Sequence, residues 1–185
     1  MTRLDRGDTL PMPNETAFML DPSFLDDFAH RWLDAWNRHD GRALAGLCTE
    51  DIEFYDPAIG AIRGRDAVAN WVDICTRAFP DYRFEDPELA YISRDRPKAI
   101  APWRMVATNT GPLDPPGFAA TGKSCVIDGV DHWWFRDGLV ERYRADYDLN
   151  GALRQLGLVP EPGSRAEKLL VSLQRAAARL RSWRR

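Results

Sequence analysis

Ile52-Glu53-Phe54-Tyr55-Asp56-Pro57 alternates apolar and polar residues, as a half-buried strand does. Side chains along a strand point to opposite faces in turn, so Ile52 and Phe54 face a core and Asp56 shares their side. An acid on an apolar face is either a hydrogen-bond hub or a reagent. Burial raises a carboxylate's pKa and makes it a usable base near neutral pH. The competing structural use is an Asp before Pro capping the following loop.

Upstream, Asp21-Pro22 reads as an N-cap followed by a Pro at the first helical position. Phe24, Phe28, Trp32 and Ala35/Trp36 recur at helical spacing through Asn37, and Asp40 starts a second, shorter helix. Downstream, 60–64 reads as a loop and a third helix runs from Arg65 to Ala78. Strands are expected at 82–92, 98–110, 121–135 and 139–148, with Asp137-Gly138 as a hairpin turn between the last two. Residues 149–158 form a last helical turn, and Pro160, Pro162 and Gly163 a linker. Ser164 and Glu167 make a capping box for a C-terminal helix.

Helices followed by a run of antiparallel strands give the α+β class. The expected architecture is a curved antiparallel sheet with three helices enclosing a conical cavity, plus the extra C-terminal helix. Domain organisation follows: a flexible arm over 1–20, one domain over 21–160 and a basic amphipathic helix over 161–185. A chain of 185 residues suits one such domain rather than two cores.

Charge and cysteine content narrow the function classes. Seven Lys/Arg against one Glu between Arg165 and Arg185 give that segment a net charge of +6, which leaves −9 on the rest of a chain totalling −3. A body that acidic is a poor nucleic-acid binder. Cys48, Cys75 and Cys125 offer neither a disulfide framework nor metal-ligand spacing. No metal or cofactor is expected. No apolar run reaches the length of a membrane span, and no signal pattern opens the chain. The expected setting is cytoplasmic. The C-terminal stripe of Leu169, Leu170, Leu173, Ala176, Ala177 and Leu180 is expected to pack on the acidic body, with a membrane surface or a partner as alternatives.

Several segments in this order resemble the nuclear-transport-factor-2-like superfamily, and within it the ketosteroid-isomerase-like and SnoaL-like polyketide-cyclase families. They are 32–40 (WLDAWNRHD), 51–57 (DIEFYDP), 64–68 (GRDAV), 129–140 (GVDHWWFRDGLV) and 148–157 (DLNGALRQLG). The resemblance implies a cofactor-independent enzyme moving protons on an apolar ketone or polyketide-like substrate, as an isomerase or aldol-type cyclase. It also implies a homodimer. One fold hosts many chemistries, so hydration of an epoxide and non-catalytic binding stand as alternatives.

In that resemblance Asp56 matches the general base of ketosteroid isomerases. Asp131 matches the acid that donates a hydrogen bond to the enolate oxygen, and strand parity puts it with Cys125, Ile127, Trp133 and Phe135. Asp148 matches the acid/base of SnoaL-like cyclases, with Asp146 as competitor. The first-helix Tyr of the isomerases is replaced by Trp32, leaving Tyr55 or Tyr143 to supply an oxyanion donor. Arg104, Asp148 and Tyr55 imitate part of an epoxide-hydrolase set. Trp36, Trp71, Trp103 and Trp133 complete the expected substrate-binding residues. His132, opposite Asp131 in parity, reads as packed or exposed.

Overall fold

The computed structural model describes residues 20–85 and 90–182. The Asp21 carboxylate accepts a hydrogen bond from the Phe24 amide at 2.9 Å and starts α1 (Pro22–Asn37). That cap satisfies one orphaned donor of the first turn. Leu25, Phe28, Trp32, Ala35 and Trp36 form the buried stripe of α1. Asp40 caps α2 (Gly41–Gly46) in the same way through the Ala43 amide. Helix α3 (Arg65–Ala78) buries Val68, Trp71, Val72 and Ile74. These three helices lie where the sequence places them.

The strands are β1 (Cys48–Asp56), β2 (Gly60–Arg63), β3 (Arg83–Glu85), β4 (Tyr91–Ile92), β5 (Lys98–Thr108), β6 (Ser124–Arg136) and β7 (Leu139–Tyr147). They make one seven-stranded curved sheet in the order β2-β1-β7-β6-β5-β3, with β4 also on β5. The long β5–β6–β7 meander is antiparallel. Asp137 and Gly138 both take positive φ, +52° and +79°, which is the twist a two-residue hairpin needs.

Three expectations need correction, and a fourth falls on residues that the structure does not describe. The sheet is not wholly antiparallel, because β1 pairs with β7 in parallel. Residues 60–63 are a strand, since Asp56-Pro57 starts a short turn that returns Ile62 beside Phe54. The expected strand 82–92 is observed as two short pieces on β5, β3 and β4, with 86–89 outside the described residues. The expected arm also lies outside the described residues, apart from its last residue, Leu20, which is buried in the core.

Helix α4 (Leu149–Gln155) follows β7, and α5 (Arg165–Ser182) opens on Ser164, whose hydroxyl accepts the Glu167 amide hydrogen bond. Against expectation, α5 does not bury its apolar stripe on the body. Leu169, Leu170 and Leu173 are each more than half exposed. Among the described helices none is long and apolar enough to cross a membrane.

Candidate active site

The sheet curls so that inward side chains of β1, β5, β6 and β7 meet α1, α3 and α4 around a cavity of about 130 Å³. Its wall is aromatic: Trp32 and Trp36 from α1, Trp71 from α3, Trp103 from β5 and Trp133 from β6. Helix α4 contributes Ala152 and Leu153, and Leu156 follows it. Leu113 comes from the 111–118 loop. That loop is held by buried Asn109, whose amide donates to the Ala78 and Gly111 carbonyls and accepts from the Thr121 amide. Every polar atom of Asn109 is thereby used on structure.

Two carboxylates reach the cavity wall. Asp56 ends β1 at 9 % exposure. Its Oδ1 accepts hydrogen bonds from the Ala58 amide and the Tyr147 hydroxyl, both at 2.8 Å. Oδ2 receives none from the described residues. Asp56 thus caps the following loop and also lines the cavity, and Oδ1 takes both hydrogen bonds. Burial pushes its pKa up, and the two hydrogen bonds offset only part of that push.

Asp131, at 5 % exposure, is saturated with donors. Oδ1 accepts from Trp103 Nε1 at 2.6 Å and from the Tyr143 hydroxyl at 2.7 Å, and Oδ2 accepts from Trp32 Nε1 at 3.0 Å. Burial pushes its pKa up to about 7. The three donors pull the other way, and the nearby charge of Asp56 adds a smaller upward push. Tyr143 and Tyr147 sit four residues apart on β7, so one strand face presents a hydroxyl to each carboxylate. Burial and the adjacent carboxylates raise both phenols above their ordinary value, so they remain protonated donors. Cys75, also on the wall, is kept a neutral thiol by burial and by Asp56.

The Trp103 indole reaches Asp131 because its cross-strand partner is Gly129. A Cβ at that position would overlap the six-membered ring of Trp103. Gly in a strand interior marks close approach of another group, and here the group is the indole that donates to Asp131. Gly129, Tyr147 and Leu113 escaped the sequence reading. The available signals were the isolated mid-strand Gly and the parity that Tyr147 shares with Tyr143.

Other expected site residues lie elsewhere. Asp148 does not line the cavity; it is exposed and caps α4, accepting the Gly151 amide hydrogen bond at 2.8 Å. Asp–Leu–Asn–Gly is a capping sequence at the end of a strand, and helix initiation claims the carboxylate. Asp146 faces outward, pairing with Arg144 at 2.7 Å and His132 at 3.1 Å. Arg104 is on the outer sheet face, bonded to Asp128 at 2.6 Å, because Trp103 takes the inward position. Tyr55 is also on the outer face, under the Arg144 guanidinium. The Arg104–Asp148–Tyr55 set is therefore not assembled. Trp32, Trp36, Trp71, Trp103, Trp133, Asp56 and Asp131 are brought together around one space.

Comparison with known proteins bears on the fold and the family. Three solved structures are similar. TsrD from Streptomyces laurentii is 24% identical with a TM-score of 0.65, over 76% of this chain and 99% of that one. AclR, a hydroxylase candidate from Streptomyces galilaeus, is 22% identical with a TM-score of 0.63, over 89% and 99%. A polyketide cyclase candidate from Pseudomonas putida is 19% identical with a TM-score of 0.59, over 69% and 94%. At these identities the likeness concerns the fold. No curated protein matches the chain significantly. The SnoaL-like domain model matches residues 29–143, which spans α1 to the middle of β7 and takes in both buried carboxylates, and the chain belongs to that family.

Proposed function

We propose that the protein is a cofactor-independent enzyme that moves a proton on a small apolar ketone or polyketide-like substrate, as an isomerase or aldol-type cyclase. The observation that carries this reading is Asp56: a buried carboxylate on an aromatic cavity wall, fixed through Oδ1 and with no partner for Oδ2 among the described residues. An oxygen so placed can accept a proton from carbon next to a carbonyl. The electron pair of the broken C–H bond moves onto the carbonyl oxygen. Asp131 stands on the same wall and carries a proton below about pH 7, which it can share with that oxygen. Returning the proton from Asp56 to another carbon completes an isomerisation. Attack of the enolate carbon on a second carbonyl carbon pushes that carbonyl's π pair onto its oxygen, and return of the Asp56 proton to this alkoxide completes a cyclisation.

The cavity size supports a small reacting group. Its roughly 130 Å³ is close to that of an engineered apolar cavity of ~150 Å³ that admits benzene. One ring or a short branched chain fits at a time. The test is proton exchange: a single-ring ketone such as cyclohexanone, incubated in deuterated buffer, gains deuterium faster with the protein than without. Asp56→Asn removes about 100- to 10,000-fold of that acceleration. Equal exchange by wild type and Asp56→Asn would refute the assignment of the base. No acceleration by wild type would move the protein to the non-catalytic binding class.

A further inference from the structure

The charge of the cavity is unbalanced. Its wall carries two carboxylates, Asp56 from β1 and Asp131 from β6, and among the described residues lining it there is no Lys, Arg or His. The other titratable groups facing this space are Cys75 on α3, Tyr82 after α3, and Tyr143 and Tyr147 on β7, none of which is a cation. Buried charges are ordinarily paired. On the outer face of the same sheet even the exposed carboxylates have cations: Asp128 has Arg104, and Asp146 has Arg144. The inward carboxylates have only dipoles.

Four of the wall's donors are committed, whereas the Tyr82 hydroxyl and the Trp133 indole N–H have no partner among the described residues. Trp32, Trp103 and Tyr143 all donate to Asp131, and Tyr147 donates to Asp56. An anion forming in this cavity would meet the proton on Asp131 and neutral N–H or O–H donors, but no cation among the described lining residues. A ligand arriving with its own positive charge meets what the wall offers: the unpartnered Oδ2 of Asp56, the field of two carboxylates, and indole and phenol rings, which attract cations.

We infer that the carbonyl compound this cavity takes is itself a small organic ammonium ion, an amine-bearing ketone of about one ring in size rather than a wholly apolar one. The inference rests on the reading of this cavity as the substrate site. In that setting Asp56 balances the ammonium before reaction. When it has taken a proton from carbon, the electron pair left on the substrate is balanced by the substrate's own charge.

The experiment is calorimetric titration of the wild-type protein with three probes of one shape. They are choline, the neutral dimethylbutanol in which carbon replaces the ammonium nitrogen, and the anionic dimethylbutanoate. At about pH 8 choline binds at least about tenfold more tightly than dimethylbutanol, and the anion binds most weakly. Asp131 ionises through about pH 7, so the preference for choline shrinks at about pH 5.5. In Asp56→Asn, with its fold checked by circular dichroism, the preference falls toward unity. Equal binding of choline and dimethylbutanol, tighter binding of the anion, or no choline binding at about 10 mM overturns the inference. Binding needs no turnover, so the two readings fail separately. A protein that selects choline but exchanges no deuterium loses the proton-transfer reading alone. One that exchanges deuterium yet prefers dimethylbutanol loses the ammonium reading alone.

Discussion

Asp131 and Asp128 stand three residues apart on β6 and behave as opposites. Asp128 points outward, bonds to the exposed Arg104 guanidinium and is held below the ordinary carboxylate value by that contact. Asp131 points inward, has no cation, and is pushed up to about 7 by burial despite three donors. The difference is one of strand parity. Strand β7 repeats it, with Tyr143 and Tyr147 inward and Arg142, Arg144 and Asp146 outward. One sheet thus has a solvated ion-pair face and a dry carboxylate face. Chemistry is expected only on the dry face, where removing water lets a carboxylate keep its proton near neutrality.

Substitutions can break this contrast in order of expected effect. In the deuterium-exchange assay the inner-face Asp56→Asn loses at least about 100-fold, whereas Asp148→Asn stays within about twofold, since that side chain caps α4. A loss for Asp148→Asn equal to that of Asp56→Asn would erase the distinction. Stability should follow the inner face as well. Asp131 moves from an ordinary 3.8 to about 7 on folding, so its protonated form favours the folded state. That contribution is full below about pH 4 and is lost as pH rises through about 7, by about 4 kcal/mol. Chemical denaturation from about pH 4 to 8 measures it, and Asp131→Asn flattens the slope.

Gly129→Ala sharpens the comparison with a smaller effect. The new methyl pushes the Trp103 indole off its position, at a cost of about 1–3 kcal/mol in denaturation midpoint terms. With one donor withdrawn, the Asp131 titration moves further up. On the outer face Arg104→Ala leaves the denaturation midpoint nearly unchanged, because the pair it breaks is exposed to solvent.

Much of the dry face could be read in the sequence, for a physical reason. Period-two alternation around Ile52, Phe54 and Asp56, and around Cys125, Trp133 and Asp131, carries facing information directly. The capping residues Asp21, Asp40 and Ser164 fixed helix starts just as locally. The rest depended on partners distant in the chain. The parallel pairing of β1 with β7 joins segments about ninety residues apart and leaves no local mark. The resemblance nominated Asp148 as a site, but the same residue satisfies helix initiation, and the local demand won. Trp32 reads as an isomerase Tyr replaced by a weaker donor. In the structure its N–H serves Asp131, 99 positions away. Arg104 reads as a cavity residue until its neighbour Trp103 takes the inward side.

The most direct test is a carboxyl carbon NMR titration that follows Asp131 and Asp128 in one sample. Asp131 is predicted to titrate near 7 and Asp128 below 3.8, with the Asp131 midpoint shifting in Gly129→Ala and the Asp128 midpoint unmoved. Coincident titration of both residues near the ordinary carboxylate value would contradict a dry inner face and, with it, the assignment of the cavity as a site of proton transfer.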